Sequence, residues 1–249
     1  MIRFILTASF VVLFLILSIP LLLVEWVLGK LGYTDAKDKS SLAIVNWAFR
    51  GCLFFSGVHS HVIGEENVPK DQPVLYIANH NSYFDILLTY VRVPRPTGYI
   101  AKGEMLKIPL LSHWMKNLHC KFLDRSNMKK GLEMILDAIK DIKNGISICI
   151  FPEGTRNKSQ NELEMLPFHE GSFKIAEKSG CLIIPVALTG TADIFENHLP
   201  KIRSKKVTIE YGTPIDPKTL SKEERKFLGV YCQNEIKKML QRHHDASIS

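Results

Sequence analysis

From Phe4 to Val24 the chain reads FILTASFVVLFLILSIPLLLV, and no residue in that run carries a charge. About 20 such residues in a helix cross the hydrocarbon core of a bilayer, so the run must be buried in protein or placed in lipid. Arg3 precedes it, as in a cleaved signal. Yet the run is longer than the usual apolar region of a signal, and no small-x-small cleavage site follows. The expectation is a retained anchor, with Trp26 and Lys30 at the membrane interface. A second apolar stretch, LAIVNWAFRGCLFFSGV (Leu42 to Val58), is interrupted by Asn46 and Arg50. A lone arginine in mid-span is costly, so this stretch reads as an interfacial helix whose Arg50 snorkels to the headgroups. Two helices dipped into one leaflet, or one spanning helix followed by an interfacial one, both satisfy the pattern.

After Gly64 short apolar runs alternate with amphipathic stretches. VLYIA (Val74 to Ala78), GYIA (Gly98 to Ala101), ISICIF (Ile146 to Phe151), LIIPVAL (Leu182 to Leu188) and VTIEYG (Val207 to Gly212) read as strands. Most are apolar on both faces, which suits a covered, largely parallel sheet. KKGLEMILDAIKDIKNG (Lys129 to Gly145) reads as a helix with Leu132, Ile135, Leu136, Ile139 and Ile142 on its inward face and Gly145 as its cap. GSFKIAEKSG (Gly171 to Gly180) is a shorter helix, and Ser221 to His244 reads as a charged surface helix. The predicted fold is α/β: a largely parallel central sheet flanked by helices, with an N-terminal two-helix membrane motif. Residues 1–60 would be the anchoring helices and residues 61–249 the second domain.

The net charge of +7 suits nucleic acid, an anionic membrane surface or a phosphorylated substrate, and does not choose among them. The five cysteines are widely spaced, with no CxxC pair and no zinc spacing, and read as reduced thiols. His59 and His61 lack a carboxylate cluster and read as surface or strand-edge residues; His243, His244 and Asp245 read as solvated or frayed. KIRSKK (Lys201 to Lys206) reads as a solvated loop, or a contact for anionic lipid or an acidic carrier protein.

Four clusters stand at strand ends, where α/β folds place ligands. In ANHNSYFDI, His80 ends the strand and Asp85 opens the next helix. Asp85 can be the third residue of a capping box begun by Ser82. It can equally bond one imidazole nitrogen and leave the other as a general base. In FPEGTRN, Pro152 and Gly154 force a turn whose backbone N–H groups can face an anion, and Thr155 and Arg156 add a hydroxyl and a fork for phosphate. Singly, Lys102 in AKGE and Arg125 in KFLDR read as surface charges. Gathered on one edge of a parallel sheet, the clusters make one site with a base, an orienting acid and three cations. That combination suits transfer to a hydroxyl on a phosphate-bearing acceptor. No GxSxG elbow supports a serine hydrolase.

N-H-x4-D at Asn79 to Asp85, F-x-D-R at Phe122 to Arg125, F-P-E-G-T-R at Phe151 to Arg156 and I-I-P-V at Ile183 to Val186 resemble the four ordered motifs of the glycerolipid acyltransferases. The closest branch is the 1-acylglycerol-3-phosphate (lysophosphatidic acid) acyltransferase family, which Leu166 to Thr191 also resembles. His-x4-Asp alone is a weak signal; four motifs in order are specific. The resemblance implies His80 as general base on the sn-2 hydroxyl and Asp85 as its partner. It implies Lys102, Arg125 and Arg156 on the acceptor phosphate, Glu153, Gly154 and Thr155 shaping the pocket, and Pro185 near the acyl or donor path. It implies acyl-CoA or acyl-carrier protein as co-substrate, no metal or other cofactor, no acyl-enzyme and no nucleic acid. Lysophosphatidic acid, the acyl donor and a phospholipid membrane would be the partners, with the catalytic domain facing the cytoplasm. Asn157 departs from the Ser or Pro that often follows the motif arginine. Acylation of another lysophospholipid or of glycerol 3-phosphate, and non-catalytic lipid binding, are the rival readings.

Overall fold

The computed structural model describes residues 1–124 and 127–248. Three helices come first: α1 (Ile2–Leu17), α2 (Ile19–Lys30) and α3 (Thr34–Ser56). Strands and helices then alternate as β1 (His59–Ile63), β2 (Val74–Ala78), α4 (Phe84–Tyr90), β3 (Thr97–Lys102), α5 (Pro109–Asn117), β4 (Lys121–Leu123), α6 (Met128–Lys143) and β5 (Ser147–Ile150). The chain closes with α7 (Lys174–Ser179), β6 (Leu182–Thr189), β7 (Lys206–Tyr211), α8 (Lys222–Lys226) and α9 (Leu228–Ile248). The seven strands form one sheet in the order β1-β7-β6-β2-β5-β3-β4. Among the described strands only β6 and β7 pair antiparallel; the other strand pairs are parallel. The predicted α/β architecture is therefore observed. The C-terminal ends of β2, β5, β3, β4 and β6 share one edge.

β2 is buried along its whole length. Val74, Tyr76 and Ala78 face a layer with Val45, Phe84, Leu88 and Trp114, and the alternate Leu75 and Ile77 face Ala138, Ile142, Cys232 and Ile236. The sheet is thus covered on both sides, as parallel strands require. The N-terminal helices belong to the first layer: Phe4, Phe14 and Phe49 pack against it, and Phe4 stacks on Phe195 with ring centroids 5.8 Å apart.

Several expectations change. The uncharged N-terminal run is two helices bent by 47° across Ser18, and among the described residues no single helix is long and apolar enough to cross a membrane. Pro20 supplies the reason, because its ring removes an N–H and clashes with the preceding turn. Ser18 at the break accepts a hydrogen bond from Trp114 Nε1 at 2.9 Å. Arg50 is exposed on α3, and its Nη2 donates to the Val91 carbonyl, just past α4, at 3.3 Å. On α6 the buried face is Met134, Ala138, Ile139 and Ile142, while Leu132 and Leu136 are exposed. α9 is likewise not a surface helix: Leu228, Cys232, Ile236, Met239 and Leu240 lie in the core.

Candidate active site

The main chain leaves the sheet after Ala78, and Asn79 covers the break. Its Nδ2 donates to the Leu188 carbonyl at 2.9 Å and its Oδ1 accepts from the Leu188 N–H at 2.8 Å, so a side chain continues the ladder to β6. This frees the backbone of His80 to turn at the sheet edge. His80 Nδ1 lies 2.8 Å from Asp85 Oδ2. The same oxygen accepts from the backbone N–H groups of Asn81 and Ser82, each at 2.7 Å. Asp85 therefore orders the turn and holds the imidazole at once, and the two sequence readings of this residue are not alternatives. The helix begins one residue later than a capping box from Ser82 would place it: Tyr83 is the N-cap, and Ser82 Oγ accepts from the Phe84 N–H at 3.0 Å. A carboxylate only accepts, so Nδ1 carries a proton, and in the neutral ring Nε2 keeps its lone pair. Nε2 has no partner among the described residues. The ring stacks on Phe151, the residue after β5, at 4.2 Å between centroids and 23° between planes.

The FPEGTRN turn grips the other side of His80. Glu153 is 4% exposed. It accepts from the His80 N–H through Oε1 and from the Leu166 N–H through Oε2, both at 2.8 Å. Burial pushes its carboxyl above the ordinary range, opposed by those two hydrogen bonds. The Asn157 N–H donates to the His80 carbonyl at 2.7 Å. Gly154, at φ +71°, donates its N–H to the Phe151 carbonyl at 2.9 Å and so closes the turn. That N–H is therefore engaged within the turn. Thr155 is half-buried in the same turn.

Arg156 projects toward the His80 loop. Its guanidinium carbon lies 3.7 Å from the Tyr83 ring centroid, Nη2 donates to the Tyr83 hydroxyl at 3.1 Å, and Nη1 donates to Glu196 Oε1 at 3.0 Å. Lys102 ends β3 on the same sheet edge, exposed and without an ion pair among the described residues. Arg125 lies outside the described residues. Pro185 is set apart. Within β6 it pairs with Ile77 of β2 and, with Glu210, Gly212 and Met239, lines a cavity of about 340 Å³ on the α9 side. Among the described residues no group of three His, Cys, Asp or Glu side chains is placed to hold a metal ion. Glu196, Tyr83 and Phe151 complete the site without having been singled out in the sequence.

A profile of the acyltransferase family matches residues 59–189, which span β1 to the end of β6. The chain belongs to the acyltransferase family. It is 31% identical to the 1-acyl-sn-glycerol-3-phosphate acyltransferase of Borreliella burgdorferi over 76% of this chain and 74% of that protein. To the enzyme of the same name from Cocos nucifera it is 35% identical, over 61% of this chain and only 48% of that longer protein. The crystal structure of the 1-acyl-sn-glycerophosphate (LPA) acyltransferase PlsC of Thermotoga maritima superposes with a TM-score of 0.70 at 26% identity. That superposition covers 92% of this chain and 97% of the other. The chain is an O-acyltransferase, as these relatives are named.

Proposed function

We propose that the chain transfers an acyl group from acyl-CoA or acyl-carrier protein to the sn-2 hydroxyl of 1-acylglycerol 3-phosphate (lysophosphatidic acid), giving phosphatidic acid for phospholipid synthesis. The observation that carries this reading is the His80–Asp85 pair at the sheet edge with Nε2 open. The names of the relatives support the acceptor.

An alcohol attacks a thioester slowly without help, and a positioned base contributes about 10²–10⁴-fold. In the proposed step His80 Nε2 takes the sn-2 hydroxyl proton as that oxygen attacks the thioester carbon. The carbon–sulfur bond of the tetrahedral intermediate then breaks, and the imidazolium returns the proton to the departing thiolate. Asp85, fully buried, stabilises the imidazolium and fixes the tautomer. Protons balance within the pair and nothing forms covalently on the protein. The reading therefore calls for no metal or further cofactor, only the donor as co-substrate. Lys102, Arg125 and Arg156 would hold the acceptor phosphate. Glu153, Gly154 and Thr155 would hold the turn that carries Arg156, and Pro185 would border the acyl or donor path.

Acceptor and product are both lipids, and the exposed apolar residues Ile5, Leu13, Ile16, Leu17 and Leu23 on α1 and α2 support residues 1–60 as the membrane anchor. Lys30 Nζ sits 5.8 Å from the Trp26 ring, a pairing suited to the headgroup level. The catalytic domain over residues 61–249 would face the cytoplasm, where the acyl donors are.

The test is turnover by the full chain in mixed phospholipid–detergent micelles, with lysophosphatidic acid and each donor, the product being identified by mass. Phosphatidic acid with one thiol released per acyl group is the expected result. Acylation of another lysophospholipid or of glycerol 3-phosphate alone would keep the chemistry and replace the acceptor. No turnover with any pair would overturn transfer in favour of lipid binding.

A further inference from the structure

Glu196 opens a short 3-10 turn (Glu196–His198) in the connection from β6 to β7, and its side chain is 15% exposed. Its carboxylate gathers three donors from two separate motifs. Oε2 accepts from Ser82 Oγ at 2.6 Å, and Oε1 accepts from the Tyr83 N–H at 2.8 Å and from Arg156 Nη1 at 3.0 Å. Arg156 is thus pinned on two sides, by Glu196 and by the Tyr83 hydroxyl and ring.

A guanidinium carries five N–H donors in one plane. Among the described residues two of these are engaged, and the side chain is 32% exposed, so three donors remain in a plane fixed by the protein. A neighbouring carboxylate weakens the net attraction of Arg156 for a phosphate. What it supplies in return is orientation, on which fork-to-phosphate recognition depends. The base does not need this support in the same degree. His80 has three holders of its own in Asp85, Glu153 and Asn157. Loss of Glu196 releases Arg156 while leaving the base held.

Resting on the functional reading above, we infer that Glu196 is a positioning residue for acceptor binding: it aims Arg156 at the acceptor phosphate and acts on acceptor affinity rather than on the chemical step.

The experiment measures kcat and acceptor KM with lysophosphatidic acid for the full chain and for Glu196→Gln and Glu196→Asp. Calorimetric binding of lysophosphatidic acid without donor runs beside it, and thermal unfolding checks each variant. For Glu196→Gln the acceptor KM should rise about tenfold and kcat change less than about threefold. Binding should weaken in parallel, and the donor KM should hold. Glu196→Asp, which keeps the charge but is one methylene shorter, should fall between, and it carries the test if the amide variant does not fold. In an Arg156→Lys background the Glu196→Gln effect should shrink, because the two residues act through one contact. A lowered acceptor KM would make Glu196 a competitor of the phosphate, and a loss confined to kcat would place it behind His80; either overturns the inference. An active parent with an unchanged acceptor KM in the variant removes this inference alone. A parent that neither binds nor acylates lysophosphatidic acid removes the functional reading and this one with it.

Discussion

His80 and His243 each sit within 2.8 Å of a carboxylate, and each is mostly buried, at 15% and 7% side-chain exposure. They differ in what the second nitrogen does. His80 gives Nδ1 to Asp85 and keeps Nε2 open at the sheet edge. His243, on α9, uses both nitrogens: Nε2 lies 2.7 Å from Glu210 Oε2 on β7, and Nδ1 lies 2.7 Å from Thr189 Oγ1 on β6. A histidine with one free nitrogen can take a proton from a bound molecule. One with both nitrogens engaged ties three elements together and has no lone pair to offer. A carboxylate neighbour alone therefore does not make a base.

The strongest way to break this comparison is to truncate both histidines. His80→Ala should lower kcat by about a hundredfold or more, since general-base catalysis contributes 10²–10⁴-fold. Its thermal unfolding should change little. His80→Ala with near-normal turnover would remove the base assignment and leave Asp85 as a helix-end residue only. Asp85→Asn comes next. The amide oxygen can still accept from the turn, but the imidazolium loses its counter-charge, so kcat should fall by about 10–100-fold with a small change in acceptor KM.

His243→Ala sharpens the other side. It leaves Glu210, 12% exposed, with Arg242 as its remaining ion pair and Thr189 Oγ1 without the imidazole. Unpairing a buried hydrogen-bonding group costs about 1–3 kcal/mol, so unfolding temperature should fall while kcat and both KM values hold. A variant that unfolds normally but loses turnover would give His243 the chemical role that its saturated nitrogens argue against.

The legible parts of the molecule were those with local causes. Strand periodicity and the His80-to-Asp85 spacing are written within a few residues, and they located the sheet and the His80–Asp85 pair. α6 and α9 misled for physical reasons: α6 carries more than one apolar stripe, and only the packed sheet decides which turns inward, while the single buried stripe of α9 (Leu228, Cys232, Ile236, Met239 and Leu240) is set among many charges. On α6 the inward stripe runs through Met134 and Ala138 rather than Leu132 and Leu136. Pro20 stood in the sequence as the cause of the bend at Ser18, unread beneath the overall hydropathy. His243 looked frayed because its partners, Glu210 and Thr189, are more than 30 residues away. Glu196 left no signal at all, since it meets Ser82 across 114 residues through a loop with no periodicity.

The smallest expected effect separates the two carboxylates that hold His80. Asp85 Oδ2 collects three donors, and Glu153 spends one oxygen on each of two backbone N–H groups. Burial raises the Glu153 carboxyl above its ordinary value of 4.5, outweighing the hydrogen bonds that lower it. A carboxyl harder to ionise in the folded chain binds more protons there than in the unfolded chain. Its contribution to stability is therefore fully present below the unfolded value and is lost as pH rises through the folded one. Unfolding temperature measured from pH 4 to 8 for the parent and for Glu153→Gln, which cannot ionise, isolates this contribution. The parent should lose ground to the variant as pH rises, by about 2–4 °C, the response to a small stability change in a chain of this length. A parent that instead gains on the variant would mean that the two N–H donors outweigh burial. Glu153 would then hold the loop as a stabilised anion.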